Sequence, residues 1–280
     1  MSDPAMIDLS SALTMATATD PGMVRSHNED SLAAEPQIGL AVLADGMGGY
    51  NAGEVASGIA VALIREEVRK ALAHPEPPGQ DTASGVTRAE RILREQSTNA
   101  NASIFQSAQT QPQYAGMGTT LVAALFSDNR ITVAHIGDSR LYRLRGDSFE
   151  QITRDHSLLQ EQIDSGMISK EDARHSMNKN LVTRALGVDP DVETEVHSYE
   201  VLPRDTYLLC SDGLSDMIPE AEIHSTLETL KANLQLAADQ LVQTANDYGG
   251  RDNISVVLIH VNDQFAAETG WVSRFMSWLK

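Results

Sequence analysis

Ile38-Gly39-Leu40-Ala41-Val42-Leu43-Ala44-Asp45-Gly46-Met47-Gly48-Gly49 is the stretch on which the reading turns. A short apolar run bounded by Gly and Asp has the signature of a buried strand. An Asp-Gly pair after such a strand ordinarily makes a hairpin turn. Here no returning strand follows: from Asn51 to Ala73, the residues Val55, Ile59, Ala62, Leu63 and Val68 recur at close to helical spacing. The same grammar recurs at Asp212-Gly213-Leu214, where a strand over Asp205–Cys210 also leads toward helical patterns. Two strand ends carrying Asp-Gly and feeding helices need a reason other than a hairpin.

Outward from this stretch the chain alternates blocks of strands and pairs of helices. A strand at Thr14–Thr19 precedes the turn Asp20-Pro21-Gly22, and a Pro-rich loop over residues 74–85 separates the first helix from a second, Thr87–Gln109. Four short segments, Thr119–Phe126, Arg130–Ile136, Arg140–Leu144 and Phe149–Ile152, form an antiparallel meander. Residues 155–192 turn polar and helix-prone, as expected of a mobile insertion over a site, with 157–193 taken as a flap. Strands return at Glu195–Glu200 and Asp205–Cys210, helices at Pro219–Thr229 and Leu234–Asn246, and a last strand at Ile254–Val261. Strands pairing with strands while helices cover the outer faces give an α+β fold. The expected organisation is a flexible N-terminus over 1–13, one domain over 14–262, and an amphipathic tail over 263–280. In that tail Val272, Phe275, Met276 and Leu279 fall at helical spacing beside Trp271 and Trp278, to pack on the body of the chain or to dock a partner or membrane surface.

A net charge of -18 argues against nucleic acid and anionic membranes as partners, since phosphate backbones are gripped by surplus Lys and Arg. The single cysteine, Cys210, excludes an internal disulfide and a thiolate metal cluster, and its apolar setting reads as core. No run approaches the roughly 20 apolar residues of a membrane span and no signal-peptide pattern opens the chain, so the expected compartment is the cytoplasm.

Asp45, Asp138, Asp212 and Asp252 all stand at ends of expected strands, where a rigid scaffold converges side chains on one point. Oxygen-only ligation by carboxylates and a carbonyl selects hard cations such as Mg²⁺ or Mn²⁺ over zinc, and glycines let backbone approach a ligand closely. Other hydrolase chemistries lack their residues. The sixth residue after Cys210 is Asp216 where a cysteine phosphatase needs Arg, no Gly-Lys-Ser/Thr follows Gly46–Gly49, and Gly137-Asp138-Ser139-Arg140-Leu141 lacks the closing Gly of a nucleophile elbow.

Six ordered motifs then make a specific resemblance: Arg25-Ser26-His27-Asn28-Glu29-Asp30, Asp45-Gly46-Met47-Gly48-Gly49, Gly118-Thr119-Thr120, Gly137-Asp138-Ser139-Arg140, Ser211-Asp212-Gly213 and Asp252-Asn253. The chain resembles the type 2C metal-dependent (PPM) protein serine/threonine phosphatases, bacterial branch. The resemblance implies a four-layer α-β-β-α sandwich of two mainly antiparallel sheets, with two Mn²⁺ or Mg²⁺ ions holding a bridging hydroxide between them. It places Asp45 across both metals, the Gly46 carbonyl on one, Asp212 and Asp252 on the other, Glu29 and Asp30 close by, and Arg25 on the phosphate. Asp138 and Asp216, with Asp212, match a third metal site. Many eukaryotic relatives carry His where this chain has Met47, so no side chain is assigned as general acid, and His156 is read as structural or solvent-facing. Phosphorylated proteins are the implied substrates, opposite a bacterial Ser/Thr kinase. The alternative is a catalytically silent signalling or scaffold module, whose mark would be a missing metal ligand; Asp45, Asp212 and Asp252 are all present.

Overall fold

The computed structural model describes residues 8–49, 52–74, 85–169, 172 and 181–265. In chain order the elements are β1 (Leu13–Asp20), β2 (Asp30–Glu35), β3 (Leu40–Met47), α1 (Ala52–Ala73), α2 (Arg88–Thr110), β4 (Gly118–Thr119), β5 (Leu121–Ser127), β6 (Arg130–Ile136), β7 (Arg140–Arg145) and β8 (Ser148–Gln151). They continue with α3 (Leu158–Asp164), β9 (Glu195–Glu200), β10 (Thr206–Cys210), α4 (Asp212–Ser215), α5 (Glu220–Leu230), α6 (Leu234–Asp247) and β11 (Ile254–Val261).

β3 explains why its sequence has no polar alternation. Leu40, Val42 and Ala44 point into a cluster beneath α1 and α2, while Ala41 and Leu43 point into a second cluster against the facing sheet. Both faces are covered, so both must be apolar. One sheet runs β1-β11-β10-β7-β8 and the other β2-β3-β5-β6-β9, with β4 beside the end of β3. Every pairing is antiparallel. Leu43, Val122 and Val133 of one sheet meet Leu141, Leu209 and Val257 of the other. Ile64, Val68, Leu93 and Ile104 cover the outside of the β2-β3-β5-β6-β9 sheet, and Ile223, Leu227 and Leu241 cover that of the β1-β11-β10-β7-β8 sheet. The result is the expected α-β-β-α sandwich, with three apolar layers separating four layers of structure.

Local chemistry sets the element ends. Thr87 is the cap of α2 rather than its first residue: its hydroxyl accepts from the Glu90 N–H, and the Glu90 carboxylate accepts from the Thr87 N–H. Asp205 is almost wholly buried, yet it takes a two-pronged ion pair from Arg145 at 2.7–2.8 Å and accepts from the Leu202 N–H, which fixes the entry to β10.

β2 is not anticipated by the sequence, because Asp, Ser and Ala have weak strand preference. It forms because β3 offers it a ladder partner, and the register sets Asp30 opposite Asp45. β3 also runs through Asp45 to Met47, three residues beyond the expected end. Order begins earlier than Thr14: Leu9 and Ala12 are buried, and the Leu9 N–H donates to the Gln37 carbonyl. Residues 1–7 lie outside the described residues, as do 266–280 with Trp271 and Trp278. Phe265, at the start of the expected tail, packs edge-on against Phe126 with ring centroids 6.1 Å apart. Of the expected flap, α3 is described together with the bridges Ser157↔Val182 and Thr119↔Leu186, while 170–171 and 173–180 lie outside. No described helix is long and apolar enough to cross a membrane.

Candidate metal centre

The six motifs meet at one end of the sandwich, and the structure shows what each holds. Asp45 is pinned through its backbone: its N–H donates to Thr120 Oγ1 (3.0 Å), and its carbonyl accepts from the Thr120 N–H (2.9 Å) and Thr119 Oγ1 (2.8 Å). Thr120 Oγ1 also shares a 2.7 Å hydrogen bond with Ser139 Oγ, tying the Gly137–Arg140 turn to the same frame. Arg140 in turn lays its guanidinium across both oxygens of Asp155. Ser211 Oγ donates to Asp30 Oδ2 at 2.9 Å and accepts from the Ser255 N–H. Asn253 anchors the Arg25–Asp30 loop: Oδ1 accepts from the Glu29 N–H, and Nδ2 donates to the carbonyls of Pro21 and His27. Thr119, Thr120, Ser211 and Asn253 were visible inside the motifs, but their bonds depend on segments far away in the chain.

The glycines of the two Asp-Gly pairs are required by close backbone contacts. A Cβ on Gly46 would sit 2.1 Å from the Gly53 carbonyl oxygen, and one on Gly213 would sit 2.0 Å from that of Asn253. Each glycine lets a strand end press against the neighbouring main chain, so that the preceding aspartate enters the cleft.

The carboxylates so gathered repel one another. Burial, then Asp30, Asp212, Asp138 and Asp252, hold the Asp45 carboxyl well above its usual range. Burial followed by Asp138, Asp252, Asp216 and Asp30 does the same to Asp212. Asp30 is pushed up to about 6, chiefly by burial, against hydrogen bonds from Ser255 and Ser211. Asp138 reaches about 7 through burial and the charge of Asp155, and burial raises Glu29. Asp30 Oδ1 is buried with no donor facing it, and that carboxyl lies within reach of the Asp45 carboxyl. Asp45, Asp212 and Asp252 nonetheless retain partial exposure, so the cluster opens on solvent. Oxygen donors only, mutual repulsion and a missing donor at Asp30 are what hard divalent cations relieve, so the residues fit that group.

Arg25 sits at the rim with its side chain half exposed and its Nη2 2.7 Å from Asp252 Oδ2. Asp138, Asp212 and Asp216 also come together, each of the first two feeling the charge of Asp216, whose N–H donates to the Asp212 carbonyl. Cys210 is fully buried and its thiol is pushed up to about 12, which removes it as a nucleophile. His156 is buried rather than solvent-facing.

Facing antiparallel sheets with an acidic, solvent-open cleft at one end define a metal-dependent hydrolase scaffold. The chain belongs to the protein phosphatase 2C family, whose sequence profile matches residues 24–255. It is 40% identical to the serine/threonine phosphatase stp of Listeria welshimeri over 247 residues, 87% of this chain and 94% of that protein. A crystal structure of the Mycobacterium tuberculosis serine/threonine phosphatase PstP/Ppp superposes with a TM-score of 0.79 at 37% identity, covering 90% of this chain and 99% of that one. A crystal structure of the PstP catalytic domain in complex with two manganese ions gives 0.78 at 37% identity and the same coverage. The chain is thus a metal-dependent serine/threonine protein phosphatase.

Proposed function

We propose that this chain removes phosphate from phosphoserine and phosphothreonine in proteins with two Mn²⁺ or Mg²⁺ ions held by Asp45, the Gly46 carbonyl, Asp212 and Asp252, with Glu29 and Asp30 beside them. The convergence of aspartates from β3, α4 and the loop just before β11 on one cleft carries this reading. Bound divalent cations supply charge neutralisation for the phosphate and a nucleophile at neutral pH. The protein's part is placement. Asp30 and Asp45 stand side by side across the β2–β3 ladder, and Ser211 fixes one oxygen of Asp30, which leaves the other turned to the cluster. Thr119 and Thr120 hold the Asp45 backbone with three hydrogen bonds, which fixes the point from which its carboxylate projects into the cleft.

Arg25 is the phosphate clamp. Its planar fork, now on Asp252, is exposed enough to turn to a phosphate oxygen pair, a task for which Lys lacks the geometry. Asp138 and Asp216, with Asp212, hold a third, weaker ion. The net charge of -18 argues against nucleic acid as the substrate. Such an enzyme opposes a bacterial Ser/Thr kinase in the cytoplasm, and the 263–280 tail docks a partner. Hydrolysis of a phosphothreonine peptide, dependent on added Mn²⁺ and lost in Asp45→Asn, is the direct test. Activity that survives chelation or survives Asp45→Asn refutes the assignment.

A further inference from the structure

On the other side of the Gly137-Asp138 turn stands a second titratable cluster, His135, His156 and Glu195, whose donor atoms lie within 4.8 Å of one another. Its spacing suits a metal ion, but its hydrogen bonding does not. The Gly137 N–H donates to His156 Nδ1 at 3.2 Å, so the ring proton belongs on Nε2, which faces Glu195 Oε1 at 3.2 Å. A protonated nitrogen offers no lone pair to a cation. The Nε2 contact is close but poorly aligned, an electrostatic pairing rather than a full hydrogen bond. His135 packs against this ring at a 38° tilt with centroids 4.7 Å apart and has no hydrogen-bond partner at either nitrogen; burial pushes it down to about 4, so it is a neutral wall.

What the cluster does hold is backbone. His156 takes both polar atoms of Gly137: Nδ1 accepts from its N–H, and the His156 N–H donates to its carbonyl at 2.8 Å. The His156 carbonyl accepts from the Thr183 N–H at 2.8 Å, and two residues on, the Leu158 N–H donates to the Leu181 carbonyl at 2.9 Å. His156 thus stands between two segments, its side chain and N–H holding the turn that carries Asp138 and its carbonyl holding the returning limb of the 157–193 segment. We propose that His156 is a positioning residue that sets Asp138 and the base of that segment as one unit, with Glu195 orienting the imidazole so that Nδ1 remains an acceptor for Gly137. The inference rests on the phosphatase reading, since it makes His156 act on the third-ion aspartate rather than on substrate.

Two variants, each keeping a polar atom near one ring nitrogen, separate this role from simple packing. In His156→Asn the amide oxygen takes the place of Nδ1 and accepts from Gly137; in His156→Gln the amide reaches toward Glu195 and nothing replaces Nδ1. In the full chain, the Mn²⁺ concentration for half-maximal phosphopeptide hydrolysis rises about 10-fold in His156→Gln, the cost of one buried amide left unpaired, and returns to within about 3-fold of the parent in His156→Asn. In ¹⁵N-labelled protein with Mg²⁺, the Gly137 amide proton moves upfield in the Gln variant and stays near its parent position in the Asn variant. Equal Mn²⁺ requirements in the two variants, or a Gly137 resonance that moves equally in both, overturn the proposal while leaving the phosphatase reading intact. An inactive parent protein would refute the phosphatase reading instead.

Discussion

Replacing Asp138 by Asn in the metal-free protein should stabilise it, even though the replacement removes an acidic group of the Gly137-Asp138-Ser139-Arg140 motif from the centre. The Asp138 carboxyl moves from 3.8 to about 7 in the folded chain, mainly because burial and the neighbouring Asp155 charge disfavour the anion. The sign follows from linkage: a carboxyl with a raised folded pKa binds its proton more tightly in the native state, so stability is highest below pH 4 and is lost as pH climbs toward 7. Above pH 7 the ionised group costs the fold roughly 4 kcal/mol by this reckoning, and local relaxation brings the expected observable to about 2–4 kcal/mol. For a chain of this size that is roughly 5–10 °C in melting temperature. The Asn amide oxygen still accepts from the Asp138 backbone N–H that the carboxylate now uses, so the gain is not offset by an orphaned donor. The assay is thermal and urea unfolding of chelator-treated protein at pH 8 and pH 5. Asp138→Asn should melt higher than the parent at pH 8, and the gap should shrink at pH 5. Saturating Mn²⁺ should also shrink it, by stabilising the parent. A variant that melts lower than the parent at pH 8, or a gap independent of pH, would refute the electrostatic account of the cleft.

Arg25→Ala should lower kcat/KM for a phosphopeptide by roughly 10²-fold, the loss of a charge-assisted bidentate contact, and Arg25→Lys should recover only part of it; full recovery by Lys in steady-state kinetics would show that a point charge suffices. Gly213→Ala should destabilise by more than about 2 kcal/mol in urea titrations, since its Cβ meets backbone oxygen at 2.0 Å and no side-chain rotation relieves it. Asp205→Asn should cost about 2–4 kcal/mol by leaving Arg145 and the Leu202 N–H poorly matched, at a place remote from the chemistry; Mn²⁺-dependent turnover of the surviving folded protein should therefore be unchanged, and a changed Mn²⁺ requirement would contradict that separation.

Strands and helices with strong apolar signals were legible in the sequence because their reasons are local. The run from Ile38 to Ala44 admits few alternatives, and the spacing of Val55, Ile59 and Leu63 requires a helix whatever lies beneath it. The acidic motifs were legible too, since each aspartate sits at the end of such a run. β2 was not, because Asp30-Ser31-Leu32-Ala33-Ala34-Glu35 has little strand preference of its own and becomes a strand only when β3 is already beside it.

The tertiary structure alone decided how the motifs work together. Composition shows that carboxylates are plentiful, but only the β2–β3 register places Asp30 opposite Asp45, and only the packing of β10 beside β11 brings Ser211 and Asn253 onto the loop that carries Arg25 and Glu29. The glycines of both Asp-Gly pairs take their meaning from carbonyls elsewhere, seven residues on for Gly46 and forty for Gly213, and His156 takes its meaning from an amide nineteen residues upstream. Apolar periodicity acts over one or two turns of chain, and so it is written in order along the sequence. Hydrogen bonds and charge repulsion act over a few ångströms of space, and the residues that share them become neighbours only when the sheets have closed on each other.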